Sequence, residues 1–120
     1  MSPRTPCRGL RSCLRLLPLL ASLLAATSVA AAAEPEVLLV LRGHRFEPSE
    51  FTVPANQRIK LVVHNQDDSA EEFESHALNR EKVVPGQAKV TIFIGPLKPG
   101  RYPFVGEYHE ATAKGVVVAK

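Results

Sequence analysis

The chain has 120 residues, enough for one small domain, and this length excludes a large multidomain enzyme. The formal net charge is +3 at pH 7, but residues 1–33 hold four arginines and no acidic residue, so residues 34–120 carry a net charge of −1. The overall basic balance therefore gives no support to nucleic-acid binding. Both cysteines also lie within residues 1–33, which excludes a disulfide-rich scaffold.

Residues 1–33 have the pattern of a secretory signal peptide. A basic segment (residues 4–15) precedes an almost wholly apolar run (residues 16–26), and small residues fill positions 28–33. This order is typical of a signal sequence that is cleaved on export, and it predicts cleavage after Ala33. The mature protein is then expected in the periplasm and not embedded in the membrane.

An uncleaved membrane anchor is the alternative interpretation of the same segment. The stretch from Leu16 to Ala33 has 18 residues, which is at the short end for a helix that spans a bilayer. Three hydroxyl-bearing residues interrupt it: Ser22, Thr27 and Ser28. We therefore favour a signal peptide of residues 1–33 followed by one domain of residues 34–120.

The predicted domain has the spacing of turn-forming residues that is typical of an all-β fold. Glycine, proline and asparagine recur about every 8–12 residues, a spacing typical of sandwiches and barrels, and no stretch keeps a helical period for more than two turns. Alternating apolar residues give each strand one apolar face, so two sheets should pack face to face. About seven to eight strands are expected: Val37–Arg42, Phe51–Val53, Ile59–His64, Glu72–Leu78, Lys82–Val84, Val90–Ile94, Arg101–Val105 and Val116–Ala119.

Two segments are rich in side chains that bind metal ions. Residues 67–76 contain five acidic side chains within eight positions and end in a histidine, and residues 102–110 contain Glu107, His109 and Glu110. An acidic run by itself is usually a solvated loop. Here the charges crowd the start of a strand, where their repulsion is unfavourable unless a cation or a basic partner compensates it. Carboxylate and imidazole together can bind a divalent or trivalent metal.

From Phe46 to Val118 the sequence resembles the cupredoxins. The segment FEPSEFTVPANQRIKLVVHNQD, an acidic strand start and the segment PLKPGRYPFVGEYHEATAKGVVV follow one another as in that family. The resemblance implies a Greek-key β-sandwich with a metal site at one end. It is closest to the EfeO-type cupredoxin-like branch of bacterial ferrous-iron uptake systems, through the segments EEFES, REKVVPG and GPLKPGRYPFVGEYHEATAKG. The residues that match the family's last hairpin are Tyr102, Phe104, His109 and Gly115.

The family's usual copper ligands are mostly replaced in this sequence. Gly106 stands at the position of the cysteine ligand, residues 112–113 offer no methionine, and Glu71 or Glu72 stands at the position of the first histidine. Of the four ligands only His109 is retained. Because a blue copper centre needs a cysteine thiolate and the predicted domain has no cysteine, blue-copper electron transfer is excluded.

The remaining candidates form an oxygen-rich ligand set, which favours iron, manganese or Cu(II). If Phe73 faces the core, Glu71 lies at the end of the sandwich, and the residues on either side of Phe73 point the other way. A bulge at the strand start would instead bring Glu72 to that end. The candidate metal ligands are Glu71, Glu72, Glu74, Glu107 and His109.

The other histidines are given structural or surface roles. His44 precedes a turn and His64 ends a strand, so both are interpreted as structural, and His76 is interpreted as a surface residue. The basic residues around Glu81 are interpreted as ordinary sheet surface, with docking of an acidic partner as the alternative.

The resemblance implies a periplasmic metal-binding protein that assists ferrous-iron uptake. It would bind Fe(II), or oxidise it with copper, before delivery to a permease. One small site cannot reduce oxygen by four electrons, so an accessory ferrous-iron oxidase would need a second metal or a redox partner. Whether the protein is an enzyme stays open at this point.

Two other functions remain as alternatives. A non-redox metallochaperone is disfavoured, because carriers of Cu(I) are rich in methionine and cysteine. A metal-free interaction module would keep the fold and lose the ion. The expected cofactors are iron, copper or both, and the expected partners are a metal ion and iron-uptake components such as a periplasmic iron-binding protein or a permease, with no nucleic acid.

Overall fold

The computed structural model describes residues 1–4, 9, 25–30 and 33–120. The chain divides into two compact units, residues 1–30 and residues 31–120. Most of the predicted signal peptide, including residues 16–24 of its apolar run, lies outside the described residues. A search of the described part of the chain for a helix with the length and apolar character needed to cross a membrane finds none.

The second unit consists of nine β-strands and one short 3₁₀ helix. The helix comprises Glu107–His109 and connects the last two strands. The strands in chain order are β1 (Glu36–Arg42), β2 (Arg45–Glu47), β3 (Glu50–Val53), β4 (Ile59–Asn65), β5 (Glu71–Ser75), β6 (Arg80–Val84), β7 (Lys89–Ile94), β8 (Gly100–Gly106) and β9 (Lys114–Ala119).

The strands form two mixed sheets. The first has the order β2-β1-β4-β7 and the second has the order β3-β9-β8-β5-β6. β1 runs parallel to β4 and β3 runs parallel to β9, whereas the other neighbours are antiparallel. The prediction of an all-β sandwich is confirmed. The additional strand is β2, which pairs back onto β1 after a tight turn at Gly43 and His44.

The core between the sheets follows from the two-residue period of the strands. In β4, Ile59, Leu61 and Val63 are fully buried, and the residues between them are partly exposed. From the second sheet, the rings of Phe73 in β5 and Phe104 in β8 stack with centroids 5.2 Å apart. Because Phe73 is fully buried, the face to which each β5 residue points is set.

The strand predicted over Glu72–Leu78 ends earlier, at Ser75. The Ser75 hydroxyl accepts a hydrogen bond from the Leu78 amide (3.0 Å) and donates one to the Pro103 carbonyl (2.7 Å), which fixes a turn. Asn79 completes the turn with a positive φ of 52°. This turn leads directly into β6, in which Glu81 lies opposite Glu74.

Candidate metal centre

Three segments that are distant in sequence meet at one end of the sandwich. They are the β1–β2 turn, the start of β5 and the 3₁₀ helix, and they contribute His44, Glu71 and His109, respectively. One possible ligand atom from each residue lies within 4.8 Å of the other two. We call these three residues the histidine–glutamate site.

Glu71 is the buried centre of this site, with a side chain only 2% exposed. Its Oε2 accepts a hydrogen bond from Nδ1 of His109 at 2.6 Å. Its Oε1 accepts two more, from the backbone amides of Tyr108 (2.8 Å) and Glu72 (3.0 Å). No described lysine or arginine forms an ion pair with it, so among the described residues its charge is balanced only by these donors.

Gly106 provides the space that the Glu71 carboxylate occupies. A Cβ atom at position 106 would lie 2.7 Å from Cδ of Glu71 and 2.7 Å from Cβ of Ala113, closer than real contacts allow. The backbone is held there by a hydrogen bond from the Gly106 amide to the Ala113 carbonyl (2.8 Å). A thiolate at this position is therefore incompatible with the present conformation of Glu71, and a blue copper centre does not fit these residues.

His44 is positioned by its own turn and by Asp67. The Asp67 carboxylate accepts hydrogen bonds from the amides of Gly43 (2.7 Å) and His44 (2.9 Å), and its Oδ2 lies 3.5 Å from Nδ1 of the His44 ring. That ring stacks on the ring of His109 with centroids 3.6 Å apart and planes inclined by 14°. The two imidazoles therefore form a pair beside Glu71.

The fully buried Asn65 supports this arrangement from the end of β4. Its side-chain oxygen accepts from the Asp67 amide at 3.0 Å, and its side-chain nitrogen donates to the carbonyls of Ser69 (2.8 Å) and Val84 (3.2 Å). Burial raises the pKa of Asp67, but the two backbone hydrogen bonds and the nearby His44 and His109 outweigh it and leave the pKa below its ordinary value. Asp67 thus stays ionised beside the imidazole pair.

A second group of side chains lies close by, and we call it the carboxylate cluster. It consists of Glu72 in β5, Glu81 in β6 and Glu107 in the 3₁₀ helix, with one oxygen of each within 4.8 Å of the others. The pKa of Glu81 is raised, first by a side-chain hydrogen bond with Glu72 and then by the charge of Glu72. The charges of Glu72 and then Glu74 raise the pKa of Glu107.

The five predicted ligands are thus divided between the two groups. Glu71 and His109 belong to the histidine–glutamate site, and Glu72 and Glu107 belong to the carboxylate cluster. Glu74 belongs to neither, and its carboxylate lies 3.3 Å from the exposed His76 ring. Of the two orientations considered for β5, the structure has the one in which Phe73 faces the core and Glu71 lies at the end of the sandwich.

Two residues of these groups were not selected from the sequence. His44 was interpreted as structural, but its ring lies on that of His109. Glu81 received no role from the sequence, and only the basic residues around it were interpreted as sheet surface, but the turn after β5 brings it to Glu72. One feature of the sequence could have indicated His44, because it lies in a Gly-His turn directly after β1. β1 pairs in parallel with β4, so the ends of these two strands lie side by side.

Residues 15–119 match the model of the cupredoxin-like domain family. The chain belongs to this family. The protein RP394 of Rickettsia prowazekii (strain Madrid E), described as uncharacterized, is 43% identical over 83 residues, which cover 69% of this chain and 66% of that protein. The chain therefore spans just under two thirds of the length of this relative.

Solved structures show the same cupredoxin-like fold. The metal-binding domain of the Cu(I)-exporting P-type ATPase of Streptococcus pneumoniae D39, with Cu(I), superposes with a TM-score of 0.63 at 13% identity, covering 71% of this chain and 84% of that one. Auracyanin A, a blue copper protein from Chloroflexus aurantiacus, also gives a TM-score of 0.63 at 13% identity, covering 73% of this chain and all of that one. At these identities the similarity concerns the fold alone.

Within this cupredoxin-like domain, the histidine–glutamate site offers two nitrogens and one carboxylate. This set is less oxygen-rich than the sequence predicted, because His44 adds a second imidazole. Two histidines and one carboxylate suit Fe(II), Cu(II) and Zn(II), and they leave further coordination positions open. The arrangement is therefore chemically able to hold a divalent transition-metal ion.

Proposed function

We propose that the domain binds one divalent transition-metal ion, Fe(II) or Cu(II), through His44, Glu71 and His109. The observation that carries this proposal is the buried Glu71 carboxylate next to two imidazoles, with no lysine or arginine among the described residues to neutralise it. A charged group in such a position is unfavourable unless hydrogen bonds or a cation compensate it. Two histidines and one carboxylate are also an established donor set for Fe(II).

The biological role that we propose is assistance to ferrous-iron uptake in the periplasm. The similarity of the last two hairpins to the EfeO-type branch, the predicted signal peptide and the nitrogen–oxygen donor set support it. The partners would be a periplasmic iron-binding protein or a permease. Carriage of Cu(I) receives less support, because the predicted domain contains no cysteine or methionine to serve as a soft ligand.

The test is a calorimetric titration of the purified full chain with Cu(II) and, without oxygen, with Fe(II). Cys7 and Cys13 are replaced by serine in every sample, so that their thiols do not compete for the ion. His109→Ala and His44→Ala should each weaken binding at least about tenfold, which corresponds to about 1.4 kcal/mol. His64→Ala is the matched control, because His64 lies in β4 outside the site, and it should bind like the unchanged chain.

A second readout is the pH dependence of binding. Only a neutral imidazole and an ionised carboxylate bind a metal ion, so protons compete with the ion for these ligands and affinity should rise with pH. Equal affinity in His109→Ala and the unchanged chain, with both folded by circular dichroism, would contradict the proposal. The metal-free interaction module would then be the better account of this fold.

A further inference from the structure

The outer face of the first sheet carries apolar side chains that do not reach the core. Leu38 of β1 is 52% exposed and Phe93 of β7 is 38% exposed, because alternate residues of each strand point away from the core. Val40 and Val62 lie near Leu38 on the same face and are half-buried. A contiguous apolar patch with charged residues at its edges is typical of a surface that binds another protein.

Charged residues flank this patch, and their signs are separated across the sheet. The strand registers arrange the outer face in three rows about 6.6 Å apart: Glu47, Val40, His64 and Lys89; Leu38, Val62 and Thr91; and Glu36, Lys60 and Phe93. In both charged rows the acidic residue lies on the side of β1 and β2, and the lysine lies on the side of β4 and β7. Glu36 and Lys60 form an ion pair at 3.4 Å. Glu47 and Lys89, at the two margins of the sheet, form no ion pair with any residue that the structure describes.

We propose that this face binds the same face of a second copy of the chain, in a symmetric dimer whose twofold axis runs between β1 and β4, parallel to the strands. This axis keeps each row opposite itself and exchanges the two sides of the sheet. Leu38 therefore meets Val62 of the partner subunit, and Glu47 meets the partner subunit's Lys89. An axis across the strands would instead bring the acidic sides of the two copies together, which is unfavourable.

The two ends of the face are compatible with the same axis. At one end, the Glu36 and Lys60 pairs of the two copies lie opposite each other with alternating sign. At the other end, Arg42 lies beside the uncharged Gln66 of its own copy (Nε to Oε1, 2.8 Å), so in the dimer it meets Gln66 of the partner subunit. Because the axis runs along the strands, the two histidine–glutamate sites would lie at the same end of the dimer. The inference does not depend on an ion bound at these sites.

The test is sedimentation equilibrium of the full chain, again with Cys7 and Cys13 replaced by serine, and with a chelator present. The unchanged chain should form dimers with a dissociation constant below about 0.1 mM. Glu47→Lys and Lys89→Glu each place like charges opposite each other twice in the dimer, so each should raise this constant at least about tenfold. Leu38→Lys should do the same by placing a charge in the apolar patch. All three side chains are exposed, so these variants should fold.

A mixture of the two charge variants gives the sharpest test of the proposed pairing. In a dimer of one Glu47→Lys chain and one Lys89→Glu chain, both contacts join opposite charges again, so the variants should bind each other although neither binds itself. Lys114→Glu is the matched control, because it makes the same charge change at an exposed position of the second sheet, and it should dimerise like the unchanged chain. A monomeric unchanged chain, full dimerisation of any of the three face variants, an equal loss in Lys114→Glu, or no association in the mixture would each overturn the inference, whatever the metal titrations show.

Discussion

Glu71 and Glu72 are neighbours in sequence, and both are buried, with exposures of 1% and 9%. The Glu71 carboxylate accepts three hydrogen bonds, whereas the Glu72 carboxylate lies beside two other carboxylates and the Tyr108 hydroxyl. Burial is thus nearly the same, but hydrogen-bond donors surround Glu71, whereas two of the three neighbours of Glu72 are like charges. The comparison teaches that a buried acid is informative only together with what surrounds it.

The pleat of β5 and the 3₁₀ helix explain how two such different environments arise side by side. The strand sends Glu71 and Glu72 to opposite faces. The helix then offers His109 to one and Glu107 to the other. Each element therefore contributes one residue to each group. A substitution of Glu71 should affect the histidine–glutamate site and spare the carboxylate cluster, and a substitution of Glu72 should do the reverse.

The largest effect is expected from replacing each glutamate by its uncharged isostere, measured by urea unfolding at pH 7 with a chelator present. Glu71→Gln should lower the free energy of unfolding by about 3 kcal/mol, because hydrogen bonds to charged groups contribute roughly 1.5–3 kcal/mol and three of them are altered. Glu72→Gln should leave stability unchanged or raise it, since it removes repulsion. Equal losses of unfolding free energy in the two variants would show that burial, and not the neighbouring groups, determines the effect of the substitution.

A somewhat smaller loss is expected for Gly106→Ala, which adds one methyl group on the Glu71 side alone. The new Cβ would press on Glu71 and Ala113, and overpacking of this kind costs about 2 kcal/mol. The affinity of the histidine–glutamate site for Cu(II) should also fall. The control is Gly100→Ala in the same strand, where the nearest atom is 3.6 Å away, and its unfolding curve should match that of the unchanged chain.

The smallest expected effects are changes of the free energy of unfolding with pH, and they have opposite signs for Asp67 and for Glu81. The pKa of Asp67 is lowered on folding, so its contribution is present above the ordinary value of 3.8 and is lost as pH falls through the folded pKa. Asp67→Asn should therefore cost about 1 kcal/mol at pH 7, and this difference should shrink at low pH.

Glu81 should show the reverse behaviour. Its pKa is raised on folding, so its favourable contribution is complete below the ordinary value of 4.5 and is lost as pH rises through the folded pKa. Glu81→Gln should therefore stabilise the metal-free protein at pH 7 and lose that advantage below pH 4.5. Urea unfolding of both variants between pH 3 and 8 provides the measurement, and differences of the same sign would contradict the assignment.

The sequence was informative wherever a local period decided the outcome. The alternation in Ile59–His64 and Val90–Ile94 predicted strands with one apolar face, and the structure has both. The same period predicted that Glu71 lies at the end of the sandwich if Phe73 faces the core, as observed. His109 was selected because its hairpin resembles that of the cupredoxins.

The sequence was uninformative where a turn decides which distant residues meet. His44 reaches His109 because the residues of its turn adopt positive φ and Asp67 holds their amides, and neither fact has a periodic signal. Glu81 reaches Glu72 because the strand stops at Ser75, three residues before the predicted end. In both cases tertiary hydrogen bonds overrode a pattern that was ambiguous by itself.

Gly106 also limits the combinations of substitutions that this domain can accept. A cysteine introduced at position 106 would collide with Glu71, and loss of Glu71 alone would leave the amides of Glu72 and Tyr108 without their acceptor. Each single step towards a thiolate centre is therefore harmful, although both together relieve the clash. The two positions therefore depend on each other, and a cysteine side chain at position 106 requires a simultaneous change at Glu71.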